Sequence, residues 1–339
     1  MVDQAARRDR GDDLPSEAPS ISPLLVSLLR ETRQDQLPER VSIDMLPGKY
    51  VKAVAQNVHK VSRRHPKNKV WLICRRCRRK GRYDVGLVLI DSAAKSSNQN
   101  EASDLTASAE HIQCTGYFRC WHCDAADWEL PAQFYLFILT HLIRQHLLVH
   151  KRHPRVKVGL LSLFDGFVFQ WATQGELHLL QQIQTKGQDA YIWNRLGNLY
   201  WAGGRPELAM AAFEKSLRLD SGQVESCFSV AGMLYDLGEI EEGEKYFQKA
   251  LLHGRHYKRL EPEALKQVLT FSLVNLVAVH RRDPENIRFP ANSPLGGEFP
   301  ENATLVTKEL TLNPKKPETF YPLAEMYMGV ALSEGHSEH

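Results

Sequence analysis

The sequence predicts an α+β chain in which a small antiparallel sheet with flanking helices precedes an all-α stack of helical hairpins. Three observations carry this expectation. Two Cys-x-x-Cys pairs, Cys74/Cys77 and Cys120/Cys123, lie among short segments of strand character. Tyr83, Val85, Leu87 and Leu89 alternate with Asp84, Gly86 and Val88, the period of a half-buried strand. From Thr173 onward the apolar period becomes helical, and residues 190–223 align with residues 224–257 at an offset of 34.

The elements follow in order along a chain of 339 residues, long enough for two or three domains. Residues 1–22 are polar and proline-punctuated and read as a disordered N-terminus. Residues 23–68 hold two candidate helices, Pro23–Arg33 and Pro47–Arg64, the second with Val51, Val54, Val58 and Val61 at helical spacing. Residues 69–130 read as short strands, interrupted by a Ser/Ala/Asn-rich insert, 92–108, expected to be a mobile loop. Residues 131–172 link the halves through an apolar helix to about Lys151 and short strands turning at Asp165-Gly166. Residues 173–280 form the helical domain. Residues 281–339 comprise a Pro/Gly/Asn-rich loop and a last helix, Pro317–Leu332.

Met1–Asp13 mixes both charges without an apolar core, unlike a secretory signal. The most apolar run, Phe134–Val149, is too short to span a bilayer and is interrupted by His141, Arg144, Gln145 and His146. It is expected to be a buried helix. The expectation is a cytoplasmic protein with no membrane partner. In such a reducing compartment, paired cysteines favour a metal over disulfides.

Cys74, Cys77, Cys120 and Cys123 are the candidate ligands of one structural zinc per chain, because two Cys-x-x-Cys turns can close a tetrahedron of thiolates. Forty-two residues separate Cys77 from Cys120, against about 15–20 in the usual four-cysteine spacing. The insert 92–108 accounts for much of the excess. With WLIC and TGYFRC entering the two pairs, residues 69–130 resemble a zinc ribbon. A redox pair would stand at a helix start in a βαβ unit, which neither pair does. His111 and His122 are each able to replace a thiolate. Cys114 fits no knuckle, and Cys227 reads as a small buried residue. His146 and His150 share a helix face, without the glutamate or third ligand of a second metal site.

The formal net charge is only +3, yet Lys60–Arg82 holds eleven basic residues and no acid. A second basic run contains Arg144, Lys151, Arg152, Arg155 and Lys157. One account is local balance, since four thiolates on Zn²⁺ leave about −2. The other is phosphate contact by Arg75, Arg76, Arg78, Arg79, Lys80 and Arg82, with Trp71, Tyr83 and Trp121 available to stack on bases.

In the repeated segment, Trp193, Leu196, Gly197, Tyr200, Ala209 and Phe213 stand where the tetratricopeptide repeat (TPR) pattern places them, with Ser216 at the next small position. The second copy departs further, with Cys227, Val230, Ala231, Leu234, Gly243, Phe247 and Ala250. The segment resembles that family, and the helices Gly175–Gln184 and Glu261–His280 are expected to complete the stack. The resemblance implies a protein-binding groove on the first helix of each pair, here Tyr191, Asn194, Asn198 and Trp201, then Glu225, Phe228 and Tyr235. The lysine and arginine set that grips a peptide carboxylate is not evident. No phosphate loop, nucleophile elbow or framed acid pair is found. The expectation is a non-enzymatic adaptor that binds protein through its TPR-like helices and carries the ribbon as a second recognition module, with no small-molecule substrate evident. The alternative is a nucleic-acid-associated regulator whose basic ribbon contacts DNA or RNA phosphates.

Overall fold

The computed structural model describes residues 21–38, 40–91, 111–147, 155–187, 189–280 and 312–329. Most of the expected disordered N-terminus, the insert 92–108, the basic residues Lys151 and Arg152, the loop from Arg281 and the end of the last helix lie outside these residues.

Helix α1, Pro23–Arg30, opens on a proline and ends where Glu31 turns left-handed (φ 58°). It buries Leu25, Val26 and Leu29. Helix α2 is shorter than its valine spacing suggests. It covers only Val51–Gln56, and Val58 is exposed while Val51, Val54 and Val61 are buried. The helix stops because the following chain is recruited elsewhere. Ser62 donates through its backbone N–H and hydroxyl to Asp236 (2.8 and 3.1 Å), and the Arg64 guanidinium reaches Asn198 (3.0 Å).

Among the described residues, six strands form two three-stranded sheets: β1 Lys69–Cys74, β2 Lys80–Asp84, β3 Val88–Ile90, β4 Ile112–Cys114, β5 Trp128–Glu129 and β6 Val156–Val158. The first sheet, β2-β1-β5, is antiparallel, with Trp71 opposite Arg82 and Cys74 opposite Trp128. The second, β4-β3-β6, pairs Ile90 with Ile112 antiparallel and with Val158 parallel. The alternating run 83–89 is therefore two strands. Gly86 breaks it with φ +63°, and a Cβ there would stand 2.5 Å from the Thr115 hydroxyl. The Asn68 side chain donates to the Gly86 carbonyl (2.9 Å), and the Thr115 hydroxyl accepts the next amide, Leu87 N–H (2.9 Å). Leu72, Tyr83, Val85, Val88, Trp128 and Trp171 form the core of these sheets.

Helix α3, Ala132–Leu147, covers this core with Phe134 and Ile138. The helix is not buried as its composition suggests. Leu136, Leu139 and Ile143 face solvent, because a run apolar on every side does not reveal which side meets the sheet.

The remaining helices are α4 Ala172–Lys186, α5 Ala190–Ala202, α6 Pro206–Leu219, α7 Val224–Leu237, α8 Ile240–Gly254, α9 Pro262–Val279 and α10 Tyr321–Tyr327. Helices α5/α6 and α7/α8 are the two expected hairpins. Asp189 caps α5 and Gln223 caps α7 through backbone amides (2.8 and 2.6 Å), and left-handed Gly238 ends α7. Gly197 allows close approach: a Cβ there would lie 2.4 Å from the Phe213 ring. Helices α4 and α9 extend the stack at either end, and α10 seals α9 with Ala324 and Tyr327, joined by Phe320 from the turn before it. The N-terminal segment clasps the second helices of the hairpins. Glu31 pairs with Lys215 (2.6 Å), Tyr50 N–H donates to Glu214 (2.8 Å), and Lys49 pairs with Glu242 (2.8 Å). Among the described residues, no helix is long and apolar enough to cross a membrane.

Candidate metal centre and helical face

The two cysteine pairs occupy the same turn, built twice. In the first, Cys74 N–H donates to the Arg79 carbonyl (3.0 Å) and Arg78 N–H to the Cys74 carbonyl (2.9 Å). In the second, Cys120 N–H donates to the Ala125 carbonyl (2.8 Å) and Asp124 N–H to the Cys120 carbonyl (2.9 Å). Arg78 and Asp124 are both left-handed, at φ 59° and 60°. The Arg79 and Ala125 amides point at the sulfurs of Cys77 and Cys123. Each turn thus presents two sulfurs on one side, with a backbone donor ready for a thiolate.

The turns face each other. Cys74 and Cys123 sulfurs are 3.6 Å apart, as are those of Cys77 and Cys120, and all four lie within 4.8 Å of one another. A disulfide requires about 2.05 Å. Ligands about 2.3 Å from a tetrahedral ion place sulfurs roughly 3.8 Å apart. The donor set fits a four-thiolate ion such as zinc. Burial pushes the Cys74 thiol up to about 12, whereas the Arg79 amide draws Cys77 down to about 7. Among the described residues no histidine or carboxylate joins the cluster. His122 contacts Arg79 instead (2.8 Å). Cys114 is buried in β4, and Cys227 is buried in α7.

The basic residues beside the cluster divide into two groups. Arg75 pairs with Asp127 (3.8 Å), Arg78 with Glu129 (2.6 Å), and Arg79 with His122. Arg76, Lys80 and Arg82 are exposed and have no acidic partner among the described residues. Of the aromatic residues expected to stack on bases, Tyr83 is buried against Phe118, Trp121 and Trp128. Only Trp71 is largely open, at 49% exposure.

The expected groove residues have distinct fates. Tyr191 is flanked by the Arg195 and Arg259 guanidiniums (4.6 and 5.4 Å from its ring) and meets the edge of Phe164. Arg195 pairs with Glu225, which also accepts the Tyr257 hydroxyl (2.8 Å). Asn194 is fully buried, donating to Ser226 (2.9 Å) and accepting from Arg195, so it braces the face from beneath. Arg64 stacks on Trp201 (4.4 Å) and binds Asn198, while the Trp201 indole donates to the Ser62 carbonyl (2.9 Å). Tyr235 packs edge-on to Phe247. Phe228 remains partly exposed, Gly232 one turn on faces open space, and Phe271 on α9 is 46% exposed.

A buried network that sequence reading missed joins the sheets to the stack. Glu176 of α4, only 1% exposed, accepts the hydroxyls of Tyr117 (2.9 Å) and Tyr200 (2.6 Å) on one oxygen. Its other oxygen takes Arg119 (3.1 Å), the residue before Cys120. Burial works against the Arg119 charge, but Tyr117 and Glu176 outweigh it and raise the pKa. Tyr117 belongs to the helical core and its neighbour Phe118 to the sheet core. Arg119 and Glu176 are 57 positions apart, and no local pattern marks the pair.

The tetratricopeptide repeat family matches residues 190–223, the span of α5 and α6 through the cap of α7. No curated protein and no solved structure matches the chain.

Proposed function

We propose that the chain is a non-enzymatic interaction protein that works by docking. The observation carrying this reading is the tetratricopeptide match at residues 190–223, set within a stack of helical hairpins. Stacked repeats of this kind present an extended concave face to partners. Tyr191, Asn198, Trp201, Glu225, Phe228 and Tyr235 make up that face in this reading, with Asn194 as its brace and residues 62–64 bounding one end.

The cysteine module is, in the same proposal, a zinc ribbon. One structural zinc is held by Cys74, Cys77, Cys120 and Cys123, and what supports it is the doubled turn and the sulfur spacing. Bound there, the ion would supply folding energy rather than reactivity, since four protein ligands leave no open position. The reducing cytoplasm is the compartment that suits it.

Two experiments test the reading. Native mass spectrometry should find one zinc per chain, whereas a mass short of hydrogens would mean disulfides. Peptides selected from a displayed random library should lose at least roughly tenfold in affinity on Phe228→Ala or Tyr191→Ala, the cost of a modest hot spot. Selected peptides that bind both variants as tightly as the parent would remove the concave face from the proposal.

A further inference from the structure

The outward face of the β2-β1 pair is a second surface, separate from the helical groove. Strand alternation buries Val70, Leu72 and Cys74 and turns Lys69, Trp71 and Ile73 outward. Pairing sets Arg82 opposite Trp71 and Lys80 opposite Ile73. The Lys80 ammonium lies 5.3 Å from the Trp71 ring, and half of the Trp71 side chain is still open to solvent. A large aromatic on a solvent-facing strand contributes nothing to the core behind it, where Tyr83 and Trp128 already fill the space.

The unpaired charge on this face has one sign. Its two acids are each engaged by an arginine from outside the row: Asp84 by Arg63 (2.6 Å) and Glu129 by Arg78 (2.6 Å). Lys69, Lys80 and Arg82 have no acidic partner among the described residues. The exposed Arg76 continues the positive charge past the end of β1. Cations beside an open indole differ from the arginines paired around the metal cluster, which serve local balance.

We propose that this face binds single-stranded nucleic acid, with Trp71 stacking on a base and Lys69, Lys80 and Arg82 meeting the adjoining phosphates. An acidic peptide would use the cations and leave the indole idle. A duplex hides its base faces and would meet only the charges. Single-stranded binders combine both features: an aromatic platform indifferent to base identity and a positive track for the backbone. Residues two apart on one strand are about 6.6 Å apart, which suits the reach between successive phosphates of an extended strand. Base stacking and phosphate contact do not read base edges, so weak sequence preference is expected.

The test uses the full zinc-loaded chain and a fluorescein-labelled oligouridylate, followed by anisotropy across a salt series. Affinity should fall steeply with salt. Trp71→Ala should weaken binding roughly tenfold, and Trp71→Phe should restore most of it. Lys80→Gln and Arg82→Gln should each lower the log–log salt slope by about 0.7. Trp71 is exposed, and unchanged near-ultraviolet dichroism and zinc content verify that the variants fold. Three outcomes overturn the proposal: Trp71→Ala binding like the parent, a hairpin duplex binding as tightly as the single strand, or poly-glutamate displacing the oligonucleotide equally from the parent and from Trp71→Ala. The last result would mark an acidic-protein surface.

Discussion

Glu176→Gln is the substitution most informative about how the two halves are joined. The amide matches the carboxylate in shape, so no cavity opens. Its carbonyl can replace the oxygen that accepts Tyr117 and Tyr200, but its NH₂ then faces the Arg119 guanidinium, 3.1 Å away in the parent. Turning the amide over relieves Arg119 and leaves two tyrosine donors facing an amine. Neither orientation satisfies all three partners, and the half-buried Arg119 keeps only the more distant Asp124 carboxylate (4.0 Å) as a counter-charge. Removing one member of a buried ion pair costs about 3–5 kcal/mol. At about 2–4 °C per kcal/mol for a unit of this size, the melting temperature should fall by roughly 6–20 °C. Circular dichroism at a helical wavelength reads the stack, and near-ultraviolet dichroism reads the aromatic-rich sheet core. Both should fall together, because Tyr117 and Phe118 are adjacent residues in different cores. The double variant Arg119→Met/Glu176→Gln should be more stable than Glu176→Gln alone, since the amide oxygen can keep both tyrosine hydroxyls and no guanidinium is left facing the NH₂. A shift below about 2 °C for Glu176→Gln, less than 1 kcal/mol on the same scale, would refute the reasoning.

Three further outcomes are expected. Arg78 is left-handed and its ion pair with Glu129 is exposed, so Arg78→Gly should be nearly neutral while Arg78→Val loses about 1–2 kcal/mol more; equal zinc retention against a chelator in the two variants would contradict this. Gly197→Ala drives a methyl to 2.4 Å from the Phe213 ring and should cost about 1–3 kcal/mol in urea unfolding, so a loss under about 0.5 kcal/mol would mean the helices separate freely. The Glu242 carboxylate receives Lys245, Lys49 and Tyr50, which lower its pKa from 4.5 to about 2. The folded value lies below the unfolded one, so this contribution is complete above the unfolded pKa and drains as the pH falls toward 2. An NMR titration midpoint for Glu242 at the ordinary 4.5 would rule it out.

What was legible in the sequence was local. The two cysteine turns are spelled by residues three apart, and the hairpins by a period that each copy repeats, so both are readable without tertiary knowledge. Gly197 and Phe213 are apart in sequence, yet the repeat fixes their meeting. The rest depends on contacts that no spacing encodes. The valines of α2 promise a longer helix, and only the pull of Asp236 and Asn198 on residues 62–64 shows why it stops. Asn194 was legible as a helix-face residue, but its burial comes from Ser226 on the next hairpin. Leu136, Leu139 and Ile143 look like core until the sheet chooses the opposite side of α3. Tyr83 and Trp71 share an aromatic character, and strand register alone sends one inward and the other out.

The pairing of Ile90 with Ile112 has a use beyond the fold. It brings together the ends of the chain between β3 and β4 within one interstrand step, about 4.8 Å. Any cargo whose own termini lie close together can therefore be spliced between them without prying the strands apart. Lengthening the connection is inexpensive as well, since each doubling of a flexible loop adds only about 0.6 kcal/mol. The junction is a natural port for a fluorescent reporter or an affinity handle. Across the same sheet, β6 lies on the other side of β3 from that junction, so a graft there leaves the β3–β6 pairing untouched.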